Sequence, residues 1–234
     1  MKGTLYLMPS LLGSKNYDYC LPPYYKTLLS DVKYFIVENA RTARRFLKPG
    51  GYLKDFDDIT FFVLNKHTHH NDFNTFLEPA QQGSSVVLLS EAGCPCIADP
   101  GASIVSLAHS ENIRVVPLVG PSSIMLALMA SGFNGQHFKF HGYLSVKSHE
   151  RAKQLAMLEK NMYNLNQTQI FIETPFRNQA LLEAILNQAK NHTRLCLAVD
   201  ITTPEEFIKT DAVLNWRKKI PQINKRQVVF LLYK

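Results

Sequence analysis

The sequence predicts an α/β fold of two successive α/β domains, the first with a mostly parallel sheet and the second with a mixed sheet. The chain has 234 residues, 46% of them hydrophobic, which is enough for substantial cores. Short β-rich segments alternate with longer segments of helical period. This pattern changes near Leu118–Gly120, where later strands lie closer together and favour mixed pairing. We therefore expect domains at residues 1–118 and 119–234, with a ligand cleft between them.

The first half predicts five strands and four helices, because each helical segment has apolar residues spaced for one face. The strands are Thr4–Met8, Tyr34–Val37, Thr60–Leu64, Ser85–Ser90 and Arg114–Leu118, and the helices are Pro22–Ser30, Ala40–Leu47, Asn71–Gln82 and Ala102–Ser110.

The second half opens with Gly120-Pro121-Ser122-Ser123, which is typical of a capped helix start. The run Ile124–Met129 that follows predicts a helix buried on all sides. After it we predict strands His137–Tyr143, Gln169–Glu173, Arg194–Ile201, Glu206–Lys209 and Gln227–Tyr233, and helices Ser148–Leu165, Phe176–Lys190 and Asp211–Lys218.

Composition favours a cytoplasmic protein without a membrane span. The apolar runs, such as Ile59–Leu64, are far shorter than the roughly 20 residues of a membrane helix. The N-terminus lacks the long apolar core of a signal peptide and is typical of a first strand. A chain of this size does not need disulfides, so we expect Cys20, Cys94, Cys96 and Cys196 to be reduced.

The charge of +7 suits a partner rich in phosphate, because cations that neutralise phosphates release counterions. Two segments are basic. One contains Arg41, Arg44, Arg45 and Lys48, and the other runs from Ala212 to the C-terminus without an acidic residue. Two solvated surfaces are an equally good interpretation.

The segment Ser90–Gly101, SEAGCPCIADPG, has the density of turn-forming residues expected of a ligand-binding loop. It follows a strand of the predicted parallel sheet, and ligands bind at the carboxyl ends of such strands. An inert strand-to-helix connection is the alternative. Its glycines do not fit G-x-G-x-x-G, and G-x-x-x-x-G-K-[ST] is absent from the chain, so nicotinamide and nucleotide triphosphate enzymes lose their main support.

Two acids of this loop, Glu91 and Asp99, suit ribose hydroxyls or a cationic ligand. Asp99 serves equally well as the cap of the following helix. The amides of Ser122 and Ser123, at a helix start, suit carboxylate or hydroxyl oxygens.

Metal and hydrolase chemistry receive little support. Cys94 and Cys96 have no second close pair to complete a zinc site. His67, His69 and His70 form H-x-H-H, for which surface-loop histidines are the favoured interpretation, with His67 as a ligand or proton acceptor the alternative. No G-x-S-x-G elbow is present. We predict no metal.

Several motifs occur in the order typical of one family: Gly3-Thr4-Leu5-Tyr6, Glu38-Asn39-Ala40-Arg41, the Ser90–Gly101 loop, Val116–Ser123, Ala130-Ser131-Gly132, Phe140–Leu144 with Lys147, and Glu173-Thr174-Pro175-Phe176-Arg177. The chain resembles the tetrapyrrole methylase superfamily nearly from end to end, and within it most closely the bacterial 16S ribosomal RNA 2′-O-ribose methyltransferases.

The resemblance implies a two-domain homodimer that binds S-adenosylmethionine in the cleft between its domains and methylates a ribose of small-subunit ribosomal RNA. Methylation of a small molecule such as a tetrapyrrole, and RNA binding without catalysis, are the alternatives. Candidates for a catalytic base are His67, Glu38 and Asp99. By position, the cofactor would lie against Leu11, Glu91, Ala92, Gly93, Ser122, Ser123, Ile124, Ile172, Ala198, Gln227 and Val228.

The sequence departs from the family pattern mainly in its first loop. Where the family has T-P-I-G-N, this chain has Met8-Pro9-Ser10-Leu11-Leu12-Gly13. Glu91 replaces an aspartate, Asn39-Ala40 replaces D-T in E-D-T-R, and Thr174 and Phe176 replace serine and histidine in E-S-P-H-R. These changes bear more on the methyl acceptor than on the cofactor.

Overall fold

The computed structural model describes residues 1–65, 67–69 and 72–234 and divides into two compact units, Met1–Ser122 and Ser123–Lys234. The predicted boundary, after residue 118, lies slightly before the observed one, after Ser122. Each unit contains one five-stranded sheet with helices, which confirms the predicted fold class. No helix in the described part of the chain is long and apolar enough to cross a membrane.

The first unit is built on a wholly parallel sheet with the strand order β3-β2-β4-β1-β5. Its central strand is buried along its whole length, and both faces of the sheet carry apolar clusters, as parallel sheets require. The strands are β1 Thr4–Met8, β2 Tyr34–Val37, β3 Thr60–Val63, β4 Val86–Leu89 and β5 Arg114–Pro117.

The helices of the first unit confirm the predicted pattern and add two short elements. The additional elements are α1 and a 3-10 turn at Phe56–Asp58, each too brief to show an apolar period. The helix predicted from Asn71 begins at Phe73, and Asn71 itself lies outside the described residues. The helices are α1 Tyr17–Cys20, α2 Tyr24–Leu29, α3 Ala40–Leu47, α4 Phe73–Gln81 and α5 Ala102–Ser110.

The second unit has a mixed sheet in the order β6-β7-β10-β8-β9, in which only the β6–β7 pairing is parallel. One face packs on three helices through Phe171, Leu197, Phe230 and Trp216. The elements are α6 Ser123–Ser131, β6 Phe138–Tyr143, α7 Ser148–Leu165, β7 Thr168–Ile172, α8 Asn178–Gln188, β8 Arg194–Val199, β9 Phe207–Ala212, α9 Val213–Lys218 and β10 Val228–Tyr233.

Helix α6 is not buried on all sides, so that prediction is wrong. Ile124, Ala127 and Leu128 are buried, but Met125 and Met129 are 45% and 76% exposed. The helix contacts β8, β9 and β10 through one face only. Because the run Ile124–Met129 is wholly apolar, the sequence does not indicate which face packs on the sheet.

Candidate functional site

Three loops of the first unit meet at the carboxyl ends of its parallel strands. The Ser10 amide, after β1, donates a 3.0 Å hydrogen bond to the carbonyl of Gly93, after β4. In the loop after β5, the Pro121 carbonyl accepts a 3.5 Å hydrogen bond from the Cys94 thiol. The contacts make one continuous surface at the sheet edge where ligands of α/β proteins bind.

Gly93 lies at the centre of this surface and cannot be replaced without strain. Its φ is +75°, in the left-handed region. A Cβ atom there would lie 3.1 Å from the Leu12 side chain and 3.3 Å from the Pro121 carbonyl oxygen. The structure thus brings four predicted cofactor residues, Leu11, Glu91, Ala92 and Gly93, into one neighbourhood, with the predicted Ser122 directly following Pro121.

The segment Ser90–Gly101, which we call the central loop, is conformationally strained beyond Gly93. Cys96 and Ala98 have φ values of 66° and 57°, although neither is glycine. The left-handed conformation costs such residues roughly 1–2 kcal/mol each. Gly101, with a φ of 130°, packs so closely on Leu88 that a Cβ would lie 2.6 Å from that side chain. Strain of this kind concentrates at functional sites, which favours a ligand-binding role over an inert connection.

Asp99 is held inside the loop by Ser90. The buried Ser90 hydroxyl accepts a 3.2 Å hydrogen bond from the Ala92 amide and also bonds the Asp99 carboxylate. Burial raises the pKa of Asp99 to about 6; the Ser90 bond lowers it, and the nearby charges of Glu38 and Glu91 raise it. Helix α5 begins after Gly101 without a side-chain cap, so the interpretation of Asp99 as its cap is wrong.

Glu91 is bound from helix α3 through a contact that the sequence does not indicate. The Thr42 hydroxyl donates to the Glu91 carboxylate. Thr42 is positioned by the N-cap residue Asn39, whose side chain accepts from the amides of Arg41 at 2.8 Å and Thr42 at 3.4 Å. The first turn of α3 is thereby tied to the central loop. The cap itself follows a recognisable signal, an asparagine just before a helical period.

In the second unit, two predicted cofactor residues, Ile172 and Ala198, share one row of the sheet. Val229 pairs with Ile172 on one side and with Ala198 on the other. The neighbouring Val228 belongs instead to the helix-covered core. The backbone amide of Gln227 donates a 2.9 Å hydrogen bond to the Asp200 carboxylate. Ser123 and Ile124 form the start of α6.

The motif at the end of β7 is organised around a buried carboxylate. Glu173 accepts 2.6 Å hydrogen bonds from the Arg177 guanidinium and the Thr174 amide. Burial opposes ionisation of Glu173, but these partners prevail and lower its pKa. Phe176, where the family has histidine, is 76% exposed.

The metal-ligand candidates do not converge. His67 is exposed and its backbone amide donates to Asn65, while His70 lies outside the described residues. Burial raises the thiol pKa of both Cys94 and Cys96, which disfavours the thiolates that bind metals. Within the described ranges, no group of three histidine, cysteine or acidic residues could hold a metal ion. Of the candidate bases, Glu38 and Asp99 are close enough to interact.

Known proteins are similar to the chain in sequence and in fold. It is 32% identical over 175 residues to ribosomal RNA small subunit methyltransferase I of Haemophilus influenzae, an alignment covering 74% of this chain and 60% of that protein. The protein of the same name from Vibrio cholerae is 28% identical over 233 residues, covering 98% of this chain and 76% of the relative. The chain thus spans about three fifths to three quarters of these relatives. No family model matches it.

Solved methyltransferase structures share its fold. The methyltransferase CobJ superposes with a TM-score of 0.64 at 16% identity, covering 99% of this chain and 94% of that structure. Cobalt precorrin-4 methyltransferase has a TM-score of 0.60 at 14% identity, with 98% and 94% covered. The solved structures confirm the predicted fold, and the sequence relatives confirm the resemblance to ribosomal RNA methyltransferases.

Proposed function

We propose that this chain is an S-adenosylmethionine-dependent methyltransferase that methylates a ribose 2′-hydroxyl of small-subunit ribosomal RNA. The observation that carries the proposal is the strained, glycine-bearing loop Ser90–Gly101, joined to the first loop by the Ser10–Gly93 hydrogen bond at the carboxyl edge of a parallel sheet. The similarity to proteins named as ribosomal RNA methyltransferases supports the choice of acceptor.

The proposed cofactor fits the chemistry of the first unit. Gly93 has no side chain, so a ligand can approach its backbone closely, and its neighbours Glu91 and Asp99 offer carboxylate oxygens for ribose hydroxyls. When bound, S-adenosylmethionine supplies an electrophilic methyl group on a sulfonium. We propose Leu11, Glu91, Ala92, Gly93 and Ser122 as cofactor contacts here. In the second unit, Ser123, Ile124, Ile172, Ala198, Gln227 and Val228 remain predictions from the resemblance.

The protein's main task in such a reaction is alignment, because fixed near-attack geometry can contribute roughly 7–11 kcal/mol. Ser90 and Asp99 hold the central loop in its strained conformation. A ribose hydroxyl must also lose its proton, which calls for a base. Glu38 is exposed at the end of β2, next to Asp99, and we propose it as the first candidate, with Asp99 and His67 as the others.

The test is transfer of labelled methyl groups from S-adenosylmethionine to purified small ribosomal subunits and their RNA. We expect label in 2′-O-methylated nucleosides after complete digestion of the RNA. Glu38→Gln should reduce the rate of transfer while cofactor affinity, measured by calorimetry, is retained. Label only in small molecules such as tetrapyrroles would support the alternative enzyme. If S-adenosylmethionine does not bind at millimolar concentration, both enzyme functions are excluded, and RNA binding without catalysis is the function that remains.

We also propose that the chain is a homodimer that acts in the cytoplasm, where its RNA substrate is made. Sedimentation equilibrium tests the first statement, since a homodimer has twice the 26.6 kDa mass of the chain. A single species of monomer mass at micromolar concentration would contradict it.

A further inference from the structure

Helix α3 presents an exposed positively charged face. Its cations Arg41, Arg44, Arg45 and Lys48 are all exposed, while Ala43 and Leu47 on the opposite side are buried. At about 100° per residue, the four cations fall within an arc of about 100°. They therefore form one stripe along the helix, which we call the α3 stripe.

The α3 stripe is not used for ion pairing. In the described part of the chain, none of its four cations forms a salt bridge with a carboxylate. Arg44 is held by aromatic rings, with its guanidinium 5.5 Å from the centroid of Phe61 and 5.9 Å from that of Phe56. This support fixes the direction of the side chain and leaves its charge without an acidic partner.

The second basic segment of the sequence differs, because two of its arginines have structural partners. Arg217 donates to the carbonyls of Leu186 at 2.6 Å, in the last turn of α8, and of Ala189 at 2.8 Å, directly after it. Arg226 pairs with Asp200 at 2.6 Å. The structure thus separates two segments that composition alone treats alike.

The α3 stripe begins beside the candidate site. Asn39, at the N-terminus of α3, follows β2 at the carboxyl edge of the sheet, and Thr42 in the first turn bonds Glu91 of the central loop. A polyanion bound along α3 would reach that edge. We infer that the α3 stripe is the surface that binds the phosphate backbone of the RNA substrate next to the site of methyl transfer, which deepens the function proposed above.

The dimensions and chemistry of the stripe fit this partner. Residues 41 to 48 span about 10 Å along the helix axis, enough for contacts with two or three consecutive phosphates. Three of the four cations are arginines, whose planar guanidinium binds phosphate oxygens in pairs. The apolar residues of α3 point into the core, so the helix itself does not offer the exposed apolar face that inserts into a bilayer.

The experiment compares two triple variants of the full chain. Arg41→Ala, Arg45→Ala and Lys48→Ala remove charge from the stripe but retain Arg44 on its aromatic support. Lys153→Ala, Lys160→Ala and Lys218→Ala remove the same charge from exposed helical positions elsewhere. Binding of a labelled small-subunit RNA fragment is measured from 0.05 to 0.3 M salt, and cofactor binding by calorimetry confirms that each variant is folded.

We expect the stripe variant to bind RNA about tenfold or more weakly at 0.1 M salt, and the slope of log affinity against log salt to fall in magnitude by about 2. The control variant should retain the slope, and both should bind cofactor as the wild type does. If wild-type protein does not bind RNA, the proposed RNA function fails together with this inference. If it binds and the stripe variant retains affinity and slope, only the inference is overturned. Binding to vesicles of anionic lipid is measured alongside. If the stripe variant retains RNA binding and loses only vesicle binding, the inference is likewise overturned.

Discussion

Gly93 combines two constraints that can be separated by experiment. Its backbone is in the left-handed region, and a Cβ atom added there would lie 3.1 Å from Leu12 and 3.3 Å from Pro121. Gly132 has a similar φ of +72°, but no atom lies within 4 Å of the position that a Cβ atom would take there. Comparing alanine at the two positions therefore isolates the effect of crowding from that of backbone strain.

We expect Gly132→Ala to lower the free energy of unfolding by about 1 kcal/mol, the cost of a left-handed alanine. Gly93→Ala should cost more, because Leu12 or Pro121 must also move, and it should weaken S-adenosylmethionine binding at least tenfold. Denaturant unfolding and calorimetry measure the two quantities. A Gly93→Ala protein with unchanged cofactor affinity would show that the central loop is not part of the binding site.

Asp99 should make stability depend on pH. Its pKa of about 6 in the folded protein exceeds the value of 3.8 for an unperturbed aspartate, so between these values the folded state binds more protons than the unfolded state. Stability contributed by protonated Asp99 is then present below about pH 4 and lost as the pH rises through 6.

Asp99→Asn removes this dependence. The difference in the free energy of unfolding, variant minus wild type, should rise by on the order of 1–2 kcal/mol from pH 4 to pH 7, a value reduced from the full shift because the side chain is only half-buried. Asp31→Asn, at an exposed position, controls for net charge. Parallel pH profiles of wild type and Asp99→Asn would contradict the assignment.

At the scale of elements, the start of α3 connects local helix chemistry to the site. Asn39→Ala removes the acceptor for two amides and should destabilise the protein by about 1 kcal/mol. Asn39→Asp retains an acceptor and should restore stability. Because Thr42 follows the cap, Asn39→Ala should also weaken cofactor binding if Glu91 contacts the ligand. Equal stability of the alanine and aspartate variants would mean that the cap has no energetic role.

Elements with a clear apolar pattern were predictable from sequence, whereas the end of one strand that depends on pairing was not. The bounds of α7 and β1 match the prediction residue for residue. In contrast, β9 extends to Ala212, where a helix was predicted from Asp211. Pairing of Ala212 with Arg194 of β8 prolongs the strand, and Asp211 receives the Asn215 amide at 2.7 Å. The pairing of Ala212 depends on a strand elsewhere in the chain, so it is not visible to a local pattern.

The candidate site was predictable to a similar degree. Glycine and proline density identified the central loop, and the order of strands predicted its position at the carboxyl edge. The Thr42–Glu91 bond joins residues 49 apart, and the Ser90–Asp99 bond depends on the fold of the loop, so neither follows from spacing. Of the two roles that the sequence left open for Asp99, the structure excludes the helix cap, because α5 begins after Gly101 without a side-chain cap, and the ligand role stays a prediction.

At the scale of the whole molecule, each unit contains its own apolar core. In the first unit, Phe35 is fully buried and lies edge-on to Tyr52, with ring centroids 5.7 Å apart. In the second, Phe230 is fully buried and stacks on Phe171 at the same centroid distance. Since the aromatic partners of each residue lie in its own unit, damage to one core should act first on the strands around it.

We therefore expect reciprocal effects of two matched substitutions. Phe230→Ala should cost about 3–5 kcal/mol and reduce hydrogen-exchange protection chiefly in β7, β8 and β10, because it leaves a cavity beside Phe171. Phe35→Ala should cost a similar amount and reduce protection chiefly in β2, β3 and β4. Hydrogen exchange with mass spectrometry resolves the two sets of peptides in each variant. Uniform loss of protection along the chain in both variants would show that the two cores unfold as a single cooperative unit.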